Sequence, residues 1–165
     1  MEIDSLRKLY IEELKDLYSA EKQILQALPR MAKKVTNKQL RQAFEEHVEV
    51  TRNQVARLDQ IFESLERSPR GKKCKGMEGL LEEGKEMMEE NMEPEVLDAA
   101  LISANQRVEH YEIAGYGTVR AYAQLLGEQE HVRLLQETLD EEGEADKRLT
   151  QLAETTINVE AAVEA

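Results

Sequence analysis

The sequence predicts an all-α protein: a four-helix bundle of two antiparallel hairpins, joined by a long crossover that carries a short extra helix. Three observations predict it. Among 165 residues there are three prolines, eight glycines and no Trp, with 41% hydrophobic and 34% charged residues. Long amphipathic helices need that composition; sandwiches and barrels do not. Apolar residues recur every three or four positions along four stretches of about 30 residues, each about 45 Å long as a helix. The connections within each pair of stretches are short and the one between the pairs is long, which makes two hairpins and a crossover. The length fits one domain, 1–165, with a core of its own.

The first helix is expected over 4–34, with Leu6, Tyr10, Leu14, Leu17, Ile24, Leu28 and Met31 on one face. Asp4 is the expected N-cap, and Pro29 is expected to kink the helix late by removing an amide donor. Thr36-Asn37-Lys38-Gln39 reads as a capping box. It opens a second helix to about 66, whose inner face carries Leu40, Ala43, His47, Val50, Gln54, Leu58, Ile61 and Leu65. Ser68 to Lys73 reads as a basic loop. A shorter helix is expected over 77–91. Pro94 then fits the first turn of a helix ending before Gly127, and the last helix runs over 128–155. The tail 158–165 is expected to fray. Two hairpins with one long crossover is the ferritin-like arrangement rather than the simple up-down bundle.

The net charge of −12 is unevenly spread: residues 1–70 hold 13 Lys/Arg against 12 Asp/Glu, and residues 71–165 hold 9 against 22. An acidic surface repels phosphate backbones, so nucleic acid is not an expected partner. No apolar run reaches the length a membrane-spanning helix needs. The first residues show no secretory signal, and the lone Cys74 has no internal disulfide partner; both point to a cytoplasmic protein.

Ionisable residues stand where the inner stripes should be apolar. Glu21 lies between Leu17 and Ile24 with Asp16 on its flank, and His47 between Ala43 and Val50. Glu109 and Glu112 straddle Val108 and Tyr111, and Glu142 and Asp146 stand between Leu139 and Leu149. In an antiparallel hairpin, equal distance from the turn means equal height. Glu21 lies 15 residues before the first turn near 36 and His47 lies 11 after it; Glu112 and Glu142 each lie 15 from the second turn near 127, and Glu109 and Asp146 lie 18 and 19 from it. These groups therefore share one level near mid-bundle. A buried carboxylate is costly unless paired or bound to a cation, and four helices donating carboxylate or imidazole at one level is how bundle dimetal centres are built. Oxygen ligands plus imidazole suit iron or manganese. The candidate metal ligands are Asp16, Glu21, His47, Glu109, Glu112, Glu142 and Asp146. The Glu-x-x-His pairs usual in such centres are absent: Glu46 is followed three later by Glu49, Glu109 by Glu112, and Glu142 by Ala145.

The segments Asp16-Leu17-Tyr18-Ser19-Ala20-Glu21-Lys22-Gln23, Glu45-Glu46-His47, Val108 to Gly117 and Thr138 to Glu142 resemble the YciF/YciE family of bacterial ferritin-like proteins. The resemblance covers nearly the whole chain. It implies a rubrerythrin-like or ferritin-like bundle, a homodimer, a stress-related role and a dimetal centre.

Two functions follow. One is a ferritin-like metalloprotein with metal oxidation or peroxide chemistry. The other is a metal-free helical interaction protein whose central polar layer sets helix register. Elsewhere the plainer readings are expected. Cys74, among Lys72, Lys73 and Lys75, is expected as a free thiol near the surface, and His110 and His131 are expected on the surface. Tyr18, Tyr111 and Tyr122 are expected to fill core gaps. Gly115 and Gly117 are expected where helices pack closely, at a cost of about 1 kcal/mol each relative to Ala.

Overall fold

The computed structural model describes residues 2–163. The helices are α1 (Leu6–Lys34), α2 (Lys38–Ser64), α3 (Lys75–Glu89), α4 (Pro94–Leu125) and α5 (Gln129–Leu152). A π-helical turn, Ala153–Ile157, then leads into α6 (Asn158–Val163). Helices α1 and α2 form one hairpin, α4 and α5 the other, and the crossover containing α3 packs on α1 and α4. This is the ferritin-like bundle expected from the sequence.

The helix ends explain the turns. Ser5, not Asp4, caps α1 by accepting from the Lys8 amide, and Asn37, not Thr36, caps α2 through the Leu40 amide at 3.0 Å. Thr36 is used differently: its amide and hydroxyl, with the Asn37 amide, each donate to the buried carboxylate of Asp98 at 2.9 Å. Asp98 lies in the first turns of α4, so it ties the α1–α2 turn to the second hairpin. Helix α1 continues through Pro29 to Lys34. Helix α4 begins at Pro94, where the missing amide costs nothing.

The α4–α5 turn is a Schellman closure: Glu128 donates to the Ala123 carbonyl at 3.0 Å and Gly127 to that of Gln124 at 3.2 Å. Gly127 sits at φ 75°, where glycine carries no Cβ penalty. Helix α2 closes the same way, with Arg67 bonded to Phe62 and Glu66 to Glu63, but here Glu66 occupies the left-handed position at φ 52°. The tail expected to fray is helical as α6 as far as Val163 and lies against α4, with none of its residues buried; residues 164–165 lie outside the described residues.

The apolar core is divided. One cluster around Ile24, Leu28, Phe44 and Leu101 fills the half nearest the α1–α2 turn. A second around Tyr10, Leu14, Leu58, Phe62 and Leu135 fills the half nearest the α4–α5 turn. A layer of buried polar side chains lies between them. Gly115 is needed for close approach, since a Cβ there would sit 2.6 Å from Leu17 Cδ2; Gly117 is not, since nothing lies within 4 Å of its Cβ position. Among the described residues, no helix is long and apolar enough to cross a membrane.

Candidate metal centre

Helix α4 contributes most of the layer because its inner stripe is polar for three successive turns. Asn105, Glu109, Glu112 and Tyr116 follow one another at spacings of four, three and four, and all are buried. Helix α1 supplies Glu21, α2 supplies His47, Thr51 and Gln54, and α5 supplies Thr138 and Glu142. Glu21, Glu109, Glu112 and Glu142 are each 0% exposed and His47 is 5% exposed, so any charge here is carried without bulk water.

His47, Glu109, Glu112 and Glu142 each aim one ligand atom at a common point, and these atoms lie within 4.8 Å of one another. His47 Nδ1 stands 3.1 Å from Glu109 Oε1, and Nε2 stands 3.8 Å from Glu142 Oε1. Neither contact has hydrogen-bond alignment, and both ring nitrogens lack partners. Both oxygens of Glu112, both of Glu142, and Oε2 of Glu21 and Glu109 are likewise buried and unpartnered. Tyr116 donates to Glu21 Oε1 at 2.5 Å, and Asn105 Nδ2 donates to Glu109 Oε1 at 3.4 Å.

Burial sets the electrostatics. It raises Glu21 to about 8, with Glu142 pushing it higher, while the adjoining Glu112 and the hydrogen bond from Tyr116 pull the other way. Burial and the neighbouring carboxylates hold Glu109 and Glu112 well above the ordinary range. Burial acts on Glu142 in the same direction, but the closeness of Glu109, His47 and Glu112 outweighs it and brings Glu142 down to about 2. Without a cation, burial and mutual repulsion favour the protonated forms of Glu21, Glu109 and Glu112.

Of the seven residues that the sequence singles out, the structure brings four to one point, with Glu21 hydrogen-bonded at its edge. Asp16 and Asp146 lie outside this cluster. Asp16 is half-buried and accepts from the Tyr111 hydroxyl at 2.6 Å; Asp146 accepts from Gln106 at 3.3 Å and faces His110 Nε2 at 3.1 Å. Tyr116, Asn105 and Thr51 are not among the residues that the sequence singles out. Each stands four residues from a central ligand, at Glu112, Glu109 and His47, and that spacing was the signal for them.

Two surface expectations fail. Cys74 is 1% exposed. Its Sγ lies 3.0 Å from the Tyr111 hydroxyl, and burial raises its thiol. His131 is 4% exposed, because Tyr10 OH meets its Nδ1 at 3.0 Å and Ser64 Oγ its Nε2 at 2.6 Å. His110 is on the surface, as expected.

Residues 5–162 match the family model described as a domain of unknown function, DUF892. The chain belongs to this family. It is 45% identical over 162 residues to protein YciF of Escherichia coli K12, a match covering 98% of both chains. The crystal structure of the E. coli stress protein YciF superposes with a TM-score of 0.91, covering 94% of this chain and 99% of that one. A Rhodopseudomonas palustris protein, YcfI, designated a candidate structural protein, is 42% identical with a TM-score of 0.87, covering 90% of this chain and 95% of its own. A Xanthomonas campestris protein at 22% identity and TM-score 0.77 shares the fold.

Proposed function

We propose that this DUF892 protein is a ferritin-like metal-binding protein with a stress-related role, and that its polar layer holds a dinuclear iron or manganese centre. One observation carries the reading: buried, unpartnered carboxylate oxygens of Glu109, Glu112 and Glu142 converge with an unpartnered imidazole on a space of ligand-set dimensions. A structural polar layer satisfies its own hydrogen bonds; this one leaves them open toward a common point. The donor set, oxygen-rich with one imidazole, fits iron or manganese.

His47, Glu109, Glu112 and Glu142 would hold the metal, with Glu21 adjoining. Iron there would supply Fe(II) oxidation by oxygen or peroxide. The chain's own part is protonic. Glu109, Glu112 and Glu21 release protons as a cation takes their place, and Tyr116 fixes the orientation of Glu21 from α4. The similarity to the E. coli stress protein supports the stress-related role. The family resemblance also supports a cytoplasmic homodimer, which light scattering tests against the 18.9 kDa monomer mass.

The test is to strip the protein of metal, add Fe(II) or Mn(II) anaerobically, and measure bound metal and released protons. Binding is expected in wild type and lost in Glu109→Ala/Glu142→Ala. Absent binding, or binding undiminished in the double variant, refutes the centre. Binding without faster oxidation in air keeps the centre and removes the oxidase reading. The competing reading, a structural polar layer, draws on the upward shift of Glu21, Glu109 and Glu112, which favours their protonated forms without a cation. It expects the double variant Glu109→Gln/Glu142→Leu to melt higher in metal-free buffer while metal content stays the same.

A further inference from the structure

A cavity of about 550 Å³ lies between α2 and α5 and opens to the surface. Its walls are apolar: Ala43, Phe44 and Val50 on α2, Ala145 and Leu149 on α5. Its inner end is polar, formed by His47, Asn105 and Glu109, with both His47 nitrogens and Glu109 Oε2 lacking partners. Its rim is acidic, formed by Glu46, Glu137, Asp140, Glu141 and Glu144, with Arg148 the one cation among the lining residues.

We propose that this cavity binds a small, non-anionic, mostly apolar organic molecule, its inner end against His47 and Glu109. Size and lining argue for it. Sites for small organic molecules are typically about 300–1,000 Å³, mostly apolar, with a few convergent polar groups. Neither oxygen nor a hydrated metal ion needs an apolar chamber of this volume. The alanines matter, because Ala43 and Ala145 leave open what larger side chains would fill. Charge excludes anions from the class. Arg148 is tied to Glu46, and Arg57 is tied to Glu137 and Glu141. The rim's acids outnumber these arginines, so an anionic guest meets net negative charge at the mouth.

The same ion pairs flank the cavity. Arg57 reaches from α2 to Glu137, Thr138 and Glu141 of α5, and Arg148 reaches from α5 to Glu46 of α2. Long polar side chains thus bridge the two helices on either side of the cavity, where small apolar side chains face each other and do not fill the gap. The inference rests on the cavity and holds with or without a metal beside it; with one, the guest lies against the centre.

The test uses two probes with the same ring body, N-phenyl-1-naphthylamine, which is neutral, and 8-anilinonaphthalene-1-sulfonate, which is anionic. Metal-depleted wild type is expected to bind the neutral probe saturably at one site and the sulfonate at least tenfold more weakly. Ala145→Trp and Val50→Trp, filling the cavity from opposite walls, are each expected to weaken the neutral probe at least tenfold. Leu125→Ala, at an exposed apolar residue far along α4, should leave it unchanged. In wild type, nuclear Overhauser contacts from probe ring protons to the Ala145 and Val50 methyls place the probe even if a filled variant does not fold. No saturable binding, equal binding of the sulfonate, binding that survives both tryptophans, or the absence of those methyl contacts overturns the proposal. Metal stoichiometry is measured separately, so failure here is distinct from failure of the metal centre.

Discussion

Raising the pH from 5 to 8 in metal-depleted protein should remove stability that the buried carboxylates supply only while protonated. Glu21 shows the arithmetic. Its folded-state value is raised from 4.5 to about 8, so its contribution is fully present below 4.5 and is lost as pH climbs through 8. Integrated between pH 5 and 8, that loss is on the order of 3 kcal/mol. Glu109 and Glu112 are raised too and act with the same sign. Glu142 is lowered to about 2, so its contribution is complete above 4.5 and fails only in acid. Metal-free stability should therefore peak near pH 5 and decline toward 8. For a chain of this length, the Glu21 share alone corresponds to a drop in Tm of about 10 °C. The assay is thermal unfolding followed by circular dichroism in chelator at both pH values. Glu21→Gln keeps the side-chain shape and an acceptor for Tyr116 but cannot ionise, so it should reduce the drop. Excess Mn(II) should also reduce it, because the cation supplies the charge that protons otherwise supply. A metal-free Tm at pH 8 equal to or above that at pH 5 would refute the reasoning.

Three further outcomes are expected. Glu66→Gly should stabilise the protein by about 1 kcal/mol in urea unfolding, because it relieves a left-handed residue in the Schellman closure of α2; unchanged stability would show that the position is not strained. Gly117→Ala should stabilise by up to about 1 kcal/mol through helix propensity, whereas Gly115→Ala should destabilise by about 1–3 kcal/mol through overpacking against Leu17; the reverse order in thermal melts would contradict the packing. A thiol reagent should modify Cys74 slowly in native protein and rapidly in urea, since the thiol is buried under Tyr111; equal rates would place it on the surface.

The sequence by itself determined the helices, their order and the level of the polar layer. Apolar spacing marks each helix. In an antiparallel hairpin, height depends only on distance from the turn, so Glu21, His47, Glu109, Glu112 and Glu142 could be brought to one level by counting. Rotation about each helix axis could not be counted. Successive residues differ by about 100°, and small rotations separate Glu142, which enters the cluster, from Asp146, which lies outside it beside His110 and Gln106. Capping was also decided non-locally: Thr36 has a capping-box sequence, but Asp98 from another helix claims its amide and hydroxyl. Local charge made Cys74 read as exposed, and only the docking of α3 beside Tyr111 buries it. Tyr10 and Ser64, distant in sequence, bury His131 in the same way. The cavity is the clearest case, for neither Ala43 nor Ala145 is unusual in a helix. The space between them comes from how α2 and α5 pack across small side chains, and that spacing is a property of two helices together.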